Sequence, residues 1–147
     1  MKKFVVRALI LSGTLVCSLL FAGGARFLLQ IENNMDFYRD KQTNLYWAKE
    51  YATGKTCQQA FSYCEELNYG GFTDWRLPNV NELVGLINTG KSDPATDLPN
   101  TPSDWFWSSS STAVLGNYKW IVLFDVGHGR ASNDYKGNGH YVRCVRP

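Results

Sequence analysis

Residues 70–82, GGFTDWRLPNVNE, constrain this 147-residue chain more than any other stretch. Two adjacent glycines, Gly70 and Gly71, let the backbone take positive φ without a Cβ clash. Phe72, Trp75 and Leu77 interleave with Thr73, Asp74 and Arg76, which suits a short extended segment with one buried face. Pro78 ends that segment and biases Leu77 toward β or polyproline geometry. Asn79 then opens a helix: its side chain accepts from first-turn amides, and Glu82 reaches back to complete a capping box. Arg76 stays protonated and is a poor base. Asp74, Arg76 and Glu82 therefore read as a loop-fixing group, with Arg76 bonded to carbonyls or a carboxylate, and not as acid–base machinery.

The N-terminus has a separate logic. Lys2, Lys3 and Arg7 precede an apolar run over residues 8–25 that ends in small residues, Gly23-Gly24-Ala25. That is the pattern of a bacterial secretory signal, a segment that is removed and is no part of the fold. Its rival is an uncleaved membrane anchor, because the run is about long enough to span a bilayer. Without residues 1–25 the balance is 15 − 3 = 12 basic against 13 acidic residues, a net charge of −1. A nucleic-acid binder carries a basic surplus on one face, so no nucleic-acid partner is expected. The remaining residues 26–147 form one domain, rich enough in rings to bury a core.

Periodicity and turn residues order the elements. A short first strand is expected over residues 27–31, then a strand–turn–strand over 37–48 and a loop over 51–55. Thr56 caps a first helix, with Gln59 placed for a capping box and Ala60, Phe61, Cys64 and Leu67 as its apolar stripe. A second helix covers residues 80–87. Residues 91–104 hold three prolines and no periodicity, a long loop of the kind that often carries function. Strands follow at 106–109, 118–125, 130–135 and 140–145. Helices early and strands late make an α+β pattern, and the first and last strands are expected to pair.

Three cysteines lie beyond residue 25: Cys57, Cys64 and Cys144. Cys57 and Cys64 fall two helical turns apart, about 10 Å, beyond the reach of a mutual bridge. One of them pairs with Cys144 if any bridge forms. Cys64 is favoured because the helix and the last strand should be core partners there. Cys57, in the first turn, is then free or joined to another chain.

Several motifs occur together in one order: the Leu45-Tyr46-Trp47 strand, CQQAFSYCEELNYGGFTDWRLPNVNEL, FWSSS from Phe106, YKWIVLFDVGHG and the terminal YVRCVR. Together they resemble the Lcl C-terminal domain family over residues 37–147. The resemblance implies a C-type-lectin-like fold: two helices packed on a small, twisted, mostly antiparallel sheet, with long loops and paired termini. It implies a bridge from the first helix to the last strand, matching Cys64 with Cys144, and structural roles for Trp75, Arg76 and Trp107. Relatives of this type include adhesins, carbohydrate or glycosaminoglycan binders and diversified receptor-binding proteins, and related folds include the formylglycine-generating enzyme. Such a range fixes fold better than function.

Candidate chemistry follows from these residues. Calcium needs oxygen ligands, and Asp93, Asp97 and Asp104 supply carboxylates. However, Leu98-Pro99-Asn100 lacks the acidic or amide residue a C-type lectin places before its proline, and Asp104-Trp105 is no Trp-Asn-Asp. No cofactor is therefore expected. Zinc from Cys57, Cys64, His128 and His140 lacks the short ligand spacing of structural sites. A formylglycine-type oxidase needs two neighbouring late cysteines, and only Cys144 lies late, so no enzyme is expected. The remaining signal is a recognition surface: Trp105, Arg130, Asn133, Asp134, Tyr135, Lys136, Asn138 and His140, residue types common in adaptable binding loops. The expectation is an exported, periplasmic or surface-associated module. It binds a glycan or protein partner through residues 91–104 and 130–140. The alternative is an envelope structural protein held by residues 8–25.

Overall fold

A computed structural model of the chain describes residues 25–113, 116–125 and 129–147, together with a short backbone pairing of Ile10–Leu11 with Thr14–Leu15. Gly23 and Gly24 of the expected cleavage region, and His128, lie outside the described residues. The elements run β1 (Phe27–Glu32), β2 (Met35–Asp40), β3 (Tyr46–Lys55), α1 (Cys57–Glu65), α2 (Val80–Val84), β4 (Trp105–Ser111), β5 (Tyr118–Leu123), β6 (Arg130–Tyr135) and β7 (His140–Arg146). The fold is α+β, with the seven strands in one sheet ordered β1-β2-β3-β7-β4-β5-β6. All pairings are antiparallel except β4 with β7, which run parallel through Phe106 and Tyr141.

Two expectations are corrected. The first strand does not pair with the last: β1 is an edge strand bonded to β2, and β7 lies in the middle between β3 and β4. Residues 51–55 are not a loop but the second half of β3, reached across register shifts after Trp47 and Ala52. Gly54, at φ 62°, reads as loop in sequence yet sits in an irregular strand.

The sheet is buried on both faces, and neighbouring residues in a strand go to opposite sides. Phe37, Ala48, Trp107, Ile121, Val142 and Cys144 face α1, whose Cys57, Ala60 and Cys64 are buried against them. Tyr38, Trp47, Phe106, Val122 and Val145 face α2 and the long loop, meeting Leu83, Leu86 and Leu98. Both capping boxes form, at Thr56 with Gln59 and at Asn79 with Glu82. Helix α2 stops at Val84, short of the expected residue 87. Leu86 and Ile87 continue it as i→i−3 turns onto Leu83 and Val84 carbonyls, the tighter geometry common at helix ends.

Residues 70–82 act as a staple between layers. Gly70 and Gly71 take φ of 65° and 83°, and a Cβ on Gly70 would stand 3.1 Å from the Phe37 ring. Buried Trp75 donates its indole N–H to Tyr69 O at 3.0 Å. Arg76 exchanges backbone bonds with Val145 of β7 at 2.8 and 2.9 Å, and Ser109 of β4 donates to Pro78 O. The Arg76 guanidinium grips Glu82 with two bonds of 2.8 and 2.7 Å, and Glu82 also accepts from the Asn79 amide. Trp107 is fully buried and donates to Lys55 O at 2.7 Å. Trp75, Arg76 and Trp107 each bond to residues of another segment or helix turn.

Just before β1, Arg26 pairs with buried Asp40 through bonds of 2.9 and 2.7 Å and also donates to Gly85 O. Burial alone would raise the Asp40 carboxyl. The Arg26 bonds, with the Gln42 amide and Thr43 hydroxyl, outweigh it and hold the carboxyl below its ordinary value.

Candidate ligand-binding cleft

The long loop over residues 91–104 folds back on the α2 face of the sheet and encloses an open cleft of about 620 Å³. Tyr51 of β3 and Tyr141 of β7 line it from the sheet, their rings 5.7 Å apart and tilted by 50°. Pro94, Pro99 and Pro102 line it from the loop, with Thr96, Asn100 and Thr101 between them. Neither tyrosine hydroxyl is bonded to a described side chain or backbone group. The cleft therefore offers two rings, three prolines, several hydroxyl and amide groups and the Lys91–Asp97 ion pair.

Arg143 holds this loop in place. It is 1% exposed, and its guanidinium donates to Ala48 O at 3.0 Å, to Pro99 O and Thr101 Oγ1 at 3.4 Å, and to Asn100 O. It also lies 5.6 Å from the Tyr51 ring centre. Its partners in these bonds are neutral oxygens. Burial pulls the guanidinium down to about 10, so it stays charged at neutral pH. An arginine in a strand next to a bridged cysteine gave no sign of this in sequence, and neither did the meeting of Tyr51 with Tyr141, which rests on the β3–β7 pairing.

The loop carboxylates do not converge. Asp93 accepts from Ser103 Oγ, Asp97 pairs with Lys91 and Asn88, and Asp104 accepts from the Trp105 amide. Among the described residues no three His, Cys, Asp or Glu side chains are grouped to hold a metal ion. Cys64 is bonded to Cys144 at a Cα separation of 5.5 Å. Cys57 is free and buried, and burial pushes its thiol up, which keeps it unreactive.

The expected recognition residues divide. Arg130 lies over the Trp105 ring at 5.5 Å. Asp134 accepts from Asn138 at 2.9 and 3.0 Å and contacts His140 Nε2 at 2.7 Å. His140 packs edge-on against Trp107. Lys136 bonds to the Gly116 and Asn117 carbonyls. Asp134, Asn138 and His140 thus close the turn between β6 and β7 and spend their polar atoms on one another, while Lys136 ties that turn to the segment before β5. Asn133 and Tyr135 remain exposed on the opposite face of β6.

The model of the Lcl C-terminal domain family matches residues 36–146. The chain belongs to that family. No curated protein and no solved structure matches the chain. The family match covers β2 to β7 and so contains the whole cleft, the bridge and the residue 70–82 staple.

Proposed function

We propose that this member of the Lcl C-terminal domain family is an exported, non-catalytic ligand-binding module of adhesion type. Its fold is C-type-lectin-like, and a glycan occupies the cleft beneath residues 91–104. The observation that carries this is the Tyr51–Tyr141 pair, two partly exposed rings set in a cleft of about 620 Å³ with hydroxyl and amide groups around them. Tyrosine gives a large, rigid, amphipathic contact at low entropic cost. Export is supported by the Cys64–Cys144 bridge, which suits an oxidising compartment outside the cytoplasm, and by the basic and apolar N-terminal pattern.

A glycan array probed with the full chain, with and without calcium, tests this. Calcium-independent binding of at least one glycan that Tyr141→Ala abolishes is the expected result. Absence of binding in both conditions refutes the glycan reading, and calcium-dependent binding moves the site to Asp93, Asp97 and Asp104.

A second reading, an envelope protein anchored by residues 8–25, is favoured by Arg26. That residue is already tied to Asp40 and Gly85 and leaves no spacer after the apolar run. Sequencing of the N-terminus in purified membranes separates the two: an intact Met1 supports the anchor, and a chain beginning near Arg26 supports release.

A further inference from the structure

Beyond Val122, the α2-side face of β5 and β6 carries a second set of uncommitted side chains, on strands that do not line the cleft. Trp120 stands opposite Asn133, and Tyr118 opposite Tyr135, so the four share one face of the sheet. Tyr135 is 50% exposed, and Tyr118 and Trp120 are half-buried. None of the three rings is part of either core cluster. Among the described residues, the Trp120 indole N–H, the Asn133 amide and the two tyrosine hydroxyls have no hydrogen-bond partner. Buried Trp75 and Trp107, by contrast, both donate.

The rings are nevertheless held. Tyr118 meets Tyr135 edge-to-face at 6.1 Å. Gly137 lets the Tyr135 ring lie flat on the turn, since a Cβ there would stand 2.6 Å from its Cε1. The strand residues of this face, Tyr118, Trp120, Val122, Ala131, Asn133 and Tyr135, carry no charge. Lys119 and Asp134 oppose each other on the other side, where Lys119 bonds Ser109 O and Ser111 Oγ and Asp134 is bonded to Asn138 and His140.

We propose that this surface is a binding site for an uncharged pyranose chain. A pyranose ring has an apolar C–H face that stacks on an aromatic ring, and hydroxyls at its edge that need donors and acceptors. Trp120 and Tyr135 supply the stacking faces. The Asn133 amide and the indole N–H supply the edge contacts. The uncharged strand residues of this face select neutral over acidic sugars. The surface adds to the cleft and does not depend on it, because Tyr51 and Tyr141 lie on β3 and β7 while these residues lie on β5 and β6.

The experiment titrates the full chain with cellohexaose, chitohexaose and mannohexaose and follows tryptophan emission and calorimetric heat. At least one of the three should bind saturably with a blue shift. Trp120→Ala or Tyr135→Ala should weaken binding about tenfold or more. Gly137→Ala should do the same by displacing the Tyr135 ring, at a position where the backbone accepts any residue. Tyr141→Ala, which empties the cleft of a ring, should leave this affinity unchanged. Thermal melting of each variant confirms that the fold persists. Failure of all three sugars to bind overturns the proposal. So does binding that survives Trp120→Ala and Tyr135→Ala, or binding that Tyr141→Ala alone abolishes, which would assign the sugar to the cleft.

Discussion

Opening the Cys64–Cys144 bridge releases a closure of 80 residues. In the chain-entropy treatment the unfolded state then gains about 15 cal/mol/K, or about 4.5 kcal/mol at 25 °C. That is a large share of the roughly 5–15 kcal/mol by which a domain of this size is stable. The bridge joins α1 to β7 with both residues fully buried, so it closes where the α1-side core is packed. The assay is urea unfolding of the native chain, of the reduced chain and of the Cys64→Ala/Cys144→Ala variant. With a urea dependence of about 1.5 kcal/mol/M, a loss near 4 kcal/mol moves the midpoint down by roughly 3 M. A loss below about 1 kcal/mol would refute the reasoning. It would mean that the unfolded chain holds residues 64 and 144 together without the bond. A peptide map joining Cys57 to Cys144 would refute the pairing itself.

Arg143→Met leaves the carbonyls of Ala48, Pro99 and Asn100 without their donor. At about 1–3 kcal/mol per orphaned buried group, a loss of at least 3 kcal/mol is expected, with faster amide exchange across residues 96–101. Arg143→Lys should not rescue it, because one ammonium cannot reproduce the fork. Asp40 has a folded carboxyl held below its ordinary value. Its stabilisation is therefore present above about pH 4 and is lost as pH falls through the lowered value. Acid unfolding of Asp40→Asn should show a flatter acid limb and a lower stability at neutral pH. Glu82→Ala removes the α2 capping box and the Arg76 grip together. A cost of about 1–2 kcal/mol is expected by thermal melting, and no cost would show that the staple at residues 70–82 holds without it.

The parts of this fold governed by local chemistry were legible. Thr56 and Asn79 each announce a helix through a side chain that serves the next turn, and both boxes form. The double glycine and Pro78 bound the Trp75 segment for the same reason. Long-range pairing was not legible. Nothing near Phe27 or Val142 states which strand lies beside which, so β1 went to the edge and β7 to the centre against expectation. The recognition residues mixed two kinds of polar side chain. Asp134, Asn138 and His140 look available in a list but face one another across a tight turn. Asn133 and Tyr135, one residue out of phase, face outward. Arg143 was hidden by the opposite effect: a charge in an alternating strand reads as solvent-facing, and here it is fully buried.

The central place of β7 has a consequence for the order in which the protein can be made. Strands β1 to β3 form one antiparallel unit and β4 to β6 another, and β7 bonds to both. It also carries Arg143, which holds the long loop, and Cys144, which locks α1. A growing chain that ends before residue 140 has two half-sheets with no seam between them. A ribosome-bound or pore-threaded intermediate of that length should remain open and protease-sensitive. Closure then comes in a single late event, when the last strand slots between two edges that have been waiting for it.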